Sequence, residues 1–139
     1  MNIIAFIVGI VISVFVILRF KKSRLEYSKF GYSLLLITFP FYYFLFAVYS
    51  NKYEVLFLEL LGGLVFFVLA FLSIKYSDFY KFNLLGFGFI LHGIYDIGHD
   101  IFFINAGTPS WWPEFCGVID FIIGLYLLTL AFRYRVKAI

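Results

Sequence analysis

The sequence predicts an all-α, polytopic bundle of five transmembrane helices, and three observations predict it. First, 64% of the 139 residues are hydrophobic and only 14% charged, with a mean hydropathy of +1.01. A soluble domain carries roughly a quarter of its residues charged, so too few solvated groups are present here to cover a core. Second, five apolar runs follow one another at 3–20, 31–49, 55–74, 82–104 and 115–132. Each reaches or nearly reaches the roughly 20 residues that cross a hydrocarbon core about 30 Å thick. Third, ten of the eleven basic residues fall on alternate connections between these runs. Together these exclude a water-soluble domain, a disordered tail and a nucleic-acid-binding module. The single cysteine, Cys116, excludes an intramolecular disulfide framework and a zinc-finger cluster.

The first run has no Lys or Arg before it and a cluster after it: Arg19, Lys21, Lys22, Arg24 and Lys29. A cleavable secretion signal has the opposite polarity, so helix one is expected to be retained with its N-terminus outside. Helix two, 31–49, leads to a connection carrying Lys52 alone. Helix three, 55–74, leads to Lys75 and Lys81. The link after helix four, 82–104, has no basic residue, and the tail after helix five, 113–132, has Arg133, Arg135 and Lys137. By the positive-inside rule this is an N-out, C-in, multi-pass protein of the cytoplasmic (inner) membrane. Its partner is membrane lipid, anionic on the basic side. No nucleic-acid partner is expected. Runs this long are helices, because backbone groups cannot stay unpaired in lipid and barrel strands would be half as long and alternating. Pro113 suits the first turn of helix five, with Trp111 and Trp112 at the interface. The link from Asn105 to Trp111 reads as a folded outer turn able to cover a site.

With that topology Glu26 and Asp78 are solvated loop charges, and the other six acids lie toward the outer half. Ionisable groups inside a span are costly and mark a site by default. His92, Asp96 and His99 are spaced i, i+4 and i+7, which places them on one face of helix four. Gly117, Asp120 and Gly124 make a similar stripe on helix five, and Glu59, Gly62 and Gly63 repeat it on helix three. Glycines let neighbouring backbones approach closely in membranes. Glu59, Asp96, His99 and Asp120 are therefore expected at one depth, along a shared seam. Glycines alone would mean only tight packing, which explains the stripes but not the carboxylates.

Three chemistries fit these residues. Asp96 and His99 have the i, i+3 spacing by which one helix presents two metal ligands, and Asp120, Glu59 or Glu114 adds a third. A single zinc or ferrous ion is the cofactor such a set takes. The metal ligands are then Asp96, His99, Asp120 and Glu59. The catalytic residues are His92, Asp96 and Asp120, with His92 an acid or base held by Asp96. The substrate would be a lipid or small amphipathic molecule. A second reading is a proton or cation path along the same face, in a transporter working as a homo-oligomer because five helices are few for alternating access. A third is a non-catalytic accessory or assembly subunit. Cys116, at an apolar helix start, reads as a packed small residue.

The segment His-Gly-Ile-Tyr-Asp-Ile-Gly-His-Asp from His92 to Asp100 is followed by Trp-Pro-Glu-Phe-Cys-Gly-Val-Ile-Asp from Trp112 to Asp120. This pair resembles a signature of small uncharacterised bacterial polytopic membrane proteins. The resemblance covers the last two helices, about a third of the chain. It implies a multi-helix inner-membrane protein and no particular activity. Zinc-dependent lipid amidases with seven helices also use intramembrane His and Asp, a likeness of residue types alone.

Overall fold

The computed structural model describes residues 2–137, with side chains as far as Arg135. The Lys137 side chain, counted above in the basic tail, lies outside the described residues. Five helices follow in order: α1 (Ile3–Lys22), α2 (Gly31–Tyr49), α3 (Tyr53–Lys75), α4 (Asp78–Phe102) and α5 (Trp112–Lys137). A single 3-10 turn, Leu25–Tyr27, lies between α1 and α2, and no strand occurs among the described residues. Helices α1, α2, α3 and α5 are each long and apolar enough to cross a membrane.

The remaining helix, α4, is built on a different balance. Its 25 residues make a rod about 37 Å long, ample for a span, but it carries His92, Asp96 and His99. All three are at most 1% exposed. The opposite face presents Phe87, Leu91, Ile94, Ile97 and Ile101, all exposed. The helix is thus apolar toward lipid and polar toward its neighbours, the arrangement that ionisable residues in a span require.

The bundle is arranged around α4. Helix α5 packs against it as an antiparallel hairpin, with α1 on the far side of α5. Helix α3 covers another flank of α4, and α2 packs on α3 and reaches over to touch α4 as well. Backbones approach closely along the α4–α5 seam. A Cβ on Gly86 would lie 3.1 Å from the Gly124 carbonyl oxygen, and one on Gly93 would lie 3.2 Å from that of Gly117. Glycine at these positions lets two backbones meet where any side chain would hold them apart. The core between the helices is aromatic and aliphatic, built from Leu36, Phe39, Phe66, Phe82, Phe89, Ile123 and Leu127.

Two features depart from the hydropathy pattern. Helix α4 begins four residues before its apolar run, at Asp78, because Lys81 folds back onto Asp78 at 2.8 Å and over the Phe82 ring. A lysine whose charge is paired and whose stem lies on apolar surface belongs in a helix as readily as in a loop. Glu26 is not a solvated charge. It is 2% exposed, because the 3-10 turn tucks it under the bundle, where the Tyr126 hydroxyl of α5 donates to its carboxylate.

Candidate metal centre

Two i, i+4 pairs face each other across the α4–α5 seam. Helix α4 supplies His92 and Asp96, and α5 supplies Cys116 and Asp120. His92, Asp96 and Asp120 are 0% exposed and Cys116 is 3% exposed. The approach allowed at Gly93 brings them together, since a Cβ there would stand 3.1 Å from that of Asp120. His92 Nδ1 lies 2.8 Å from Asp120 Oδ2 and 3.4 Å from Asp96 Oδ2. One donor atom from each of the four residues lies within 4.8 Å of all the others. From α2, the Tyr43 hydroxyl donates to Asp96 Oδ1 at 2.7 Å. The Phe66 ring meets the His92 ring edge-on at 4.6 Å and Phe39 closes another side at 5.6 Å, which keeps water out. His92 Nε2, Asp96 Oδ2 and Asp120 Oδ1 are buried without a hydrogen-bond partner among the described residues.

A second group lies nearer the Asn105 end of α4 and is fully bonded. Glu59 Oε1 accepts from His99 Nε2 at 2.8 Å and from Asn105 Nδ2 at 2.7 Å, and Glu59 Oε2 accepts from the Tyr95 hydroxyl at 2.7 Å. Asn105 also donates to the Tyr43 carbonyl at 3.1 Å, and its side-chain oxygen accepts from the Gly107 amide at 3.3 Å. This ties the turn between α4 and α5 to α2 and α3. The exposed Asp100 stands 3.5 Å from His99 Nδ1. The two groups touch through Tyr43, whose ring stacks on His99 at 4.5 Å.

The structure therefore divides the residues that the sequence reading placed on one ion. Asp96 and Asp120 meet, with His92 beside them, and Asp120 pairs with helix four as its glycine stripe requires. His99 and Glu59 meet each other instead. The separation is one of depth: Asp120 stands opposite Gly93, whereas Glu59 bonds at His99, six residues further along α4 and about 9 Å away at 1.5 Å per residue. Glu114 is at neither group; its Oε1 accepts from the Asn2 amide. Cys116, which the sequence offers as a packed small residue, belongs to the arrangement. Cys116 carried a usable signal, because it stands to Asp120 as His92 stands to Asp96. Tyr43 is one of several tyrosines whose hydroxyls the sequence offers to a proton path, and Asn105 opens the turn expected to cover a site, but only the packing of α2 and that turn brings them to these partners.

Comparison of the chain with protein-family models, with curated proteins and with solved structures finds no match. The chemistry of the site thus rests on its geometry. One imidazole, two carboxylates and a thiol are a donor set suited to zinc or ferrous iron. The imidazole and the thiol are softer donors than the oxygen-only sets that calcium and magnesium prefer. Tetrahedral zinc with bonds of 2.0–2.3 Å holds its ligand atoms about 3.3–3.8 Å apart. The four atoms would close up from 4.8 Å, while the 2.8 Å Nδ1–Oδ2 contact, a hydrogen bond now, would open by about half an ångström as the ion replaced its proton. Both movements are within reach of side-chain rotation.

Proposed function

We propose that the protein is a multi-pass protein of the cytoplasmic membrane, N-out and C-in, that holds a single zinc or ferrous ion on His92, Asp96, Cys116 and Asp120 and acts on a lipid or small amphipathic substrate. One observation carries this reading. Two carboxylates, an imidazole and a thiol are buried together within the bundle, and three of their polar atoms accept or donate no hydrogen bond among the described residues. Isolated charges in such a place cost several kcal/mol each. Protonating His92 offsets only one of two carboxylates, whereas a divalent cation offsets both and fills the unused coordination.

A bound ion would supply Lewis acidity toward a carbonyl or phosphoryl oxygen. The chain's own residues have separable tasks. His92, Asp96 and Asp120 bind, and Tyr43 orients Asp96 through its other oxygen, as outer partners of metal ligands do. Phe39 and Phe66 exclude water. Cys116 is the softest of the four donors and would favour zinc or ferrous iron over harder ions. His99 and Glu59 clamp the outer turn over the site.

A proton path is the alternative that a specific observation favours. Asp100, His99, Glu59 and Tyr95 form a hydrogen-bonded series inward from an exposed carboxylate. The series stops before Asp96, because Tyr43 meets His99 by ring stacking and gives its hydroxyl to Asp96. A structural role as an accessory subunit predicts neither metal nor proton transfer. Metal analysis of detergent-purified protein, prepared without chelator, tests the proposal. One ion per chain is expected, lost in Asp120→Asn, with a near-ultraviolet thiolate-to-cobalt band in the cobalt form that Cys116→Ser removes. Absence of stoichiometric metal from the unmodified protein would refute the metal reading.

A further inference from the structure

An apolar groove of about 350 Å³ lies between α1 and α2, with α5 as its floor. Trp112 and Tyr42 line it toward one end, and Val16, Leu35 and Ile123 toward the other, with Ile12 between them. Two observations connect it to the buried group. Cys116 lines the groove and also belongs to the four-residue cluster, so its thiol is a common wall. The Phe39 ring, which lines the groove as well, stands 5.6 Å from the His92 ring.

A third observation points to what occupies it. Trp112 is 7% exposed, and its indole Nε1 is buried with no hydrogen-bond partner among the described residues. Its burial keeps water from that donor, so the wall of an otherwise apolar groove holds one unused N–H. Access from the outer aqueous side is closed. Asn105 pins the turn to α2 and α3, and the Trp112 ring packs on Phe46 at 4.9 Å and on Tyr42 at 5.0 Å.

We propose that this groove is an acyl-chain site, and that the substrate is a lipid entering sideways from the bilayer with an ester or amide carbonyl near its head. The chain lies along Ile12, Val16, Leu35 and Ile123, and the carbonyl oxygen accepts from Trp112 Nε1 once the indole turns toward it. The head end then lies next to Cys116, one thiol away from the His92, Asp96 and Asp120 group. A volume of 350 Å³ is at the small end of ligand sites, which run from about 300 to 1,000 Å³, and suits one chain rather than two. A water-soluble substrate does not fit these walls, because its polar groups would lose water without gaining partners. The reaction at the head rests on the metal reading above; occupation of the groove does not.

The test uses the full chain in phosphatidylcholine vesicles doped with a lysophospholipid whose single acyl chain carries a diazirine. After illumination, adducts are mapped by peptide, and bound metal is measured on the same samples. Adducts concentrated on residues 35–39 and 116–123 are expected, in excess over the lipid-facing Leu64, Val68, Ile94 and Ile101. Ile12→Trp, which fills the groove from α1, should remove most of them and leave the metal content unchanged. Trp112→Phe, which keeps the apolar surface and deletes the donor, should lower labelling about threefold, the worth of one hydrogen bond inside a membrane. The same variant should not alter labelling by a diazirine alkane that has no carbonyl. Adducts spread evenly over all lipid-facing positions, which is annular lipid only, would overturn the proposal, as would labelling indifferent to Ile12→Trp. Groove labelling without bound metal would sink the metal reading and leave the acyl site standing. Bound metal without groove labelling would do the reverse.

Discussion

Replacing Gly124 by alanine places a methyl group on the tightest part of the α4–α5 seam. Its Cβ would lie 2.8 Å from Ile90 Cγ1, 2.9 Å from the Gly86 carbonyl oxygen and 3.2 Å from the Ile90 amide nitrogen. A side-chain end can swing away, but two of these atoms are backbone of a continuous helix. Ordinary contact begins at 3.4 Å, so the helices must part by about half an ångström, and overpacking of this kind costs about 1–3 kcal/mol. Gly117→Ala is the matched control. It gains the same helix propensity, about 1 kcal/mol at most, but its Cβ would meet Ile97 Cγ1 at 3.5 Å and the Gly93 carbonyl oxygen at 3.6 Å, which is ordinary contact. The difference between the two variants therefore isolates crowding at the seam. Thermal unfolding in one detergent at one scan rate should place Gly124→Ala several degrees below the parent and Gly117→Ala at or above it. Gly124 is one turn from Asp120, so parting the helices there also stretches the 2.8 Å His92–Asp120 contact, and metal affinity should fall in Gly124→Ala alone. Equal midpoints for the two variants would refute this account of how the seam holds the site.

Three further outcomes follow from the same geometry. Glu59→Ala leaves His99, Asn105 and Tyr95 without their acceptor, and at about 0.6–1 kcal/mol for each bond it should lower stability by roughly 2–3 kcal/mol in thermal unfolding. Glu59→Gln, in which the Tyr95 hydroxyl rotates to accept, should lose far less. Bound metal should survive in both, and a well-folded Glu59→Ala stripped of metal would contradict the separation of the two groups. Tyr43→Phe keeps the ring on His99 but deletes the hydrogen bond to Asp96. Chelator-competition titration should find metal binding weaker by about tenfold, the usual effect of losing an outer partner, with the unfolding midpoint lowered by a few degrees for the one buried hydrogen bond lost; unaltered affinity would remove Tyr43 from the site. Finally, a reporter fused after Ile139 should be active only if it works in the cytoplasm. Activity of an extracytoplasmic reporter there would invert the N-out, C-in orientation.

Much of the site was legible because helix periodicity is local. The i, i+4 relation of His92 to Asp96, and the glycines flanking Asp120, are properties of single helices, readable without knowing what packs where. The same holds for the inward face of α4, since a span cannot turn His92, Asp96 and His99 to lipid. Depth was not legible to better than a turn. The extended stretch after Phe102 and the start of α5 at Trp112 set which residue of α5 stands opposite which of α4. A shift of six residues along α4 is what separates the Asp120 partner from the Glu59 partner.

Composition and the spacing of charges thus determined, without reference to coordinates, a five-helix membrane bundle with acids and histidines turned inward. These are consequences of transfer free energies, which act on each residue wherever its neighbours are. The tertiary structure alone decided that Cys116 joins the ion group, that His99 leaves it for Glu59, and that Tyr43 stands between the two. It also buried Glu26 against Tyr126 and left the Trp112 donor unused beside an apolar groove. Such outcomes depend on axial register and on close approach between separate helices, set by the glycine contacts at Gly86, Gly93 and Gly124 and by the length of the turn between α4 and α5. No one helix encodes that register; it exists only when the packed surfaces meet.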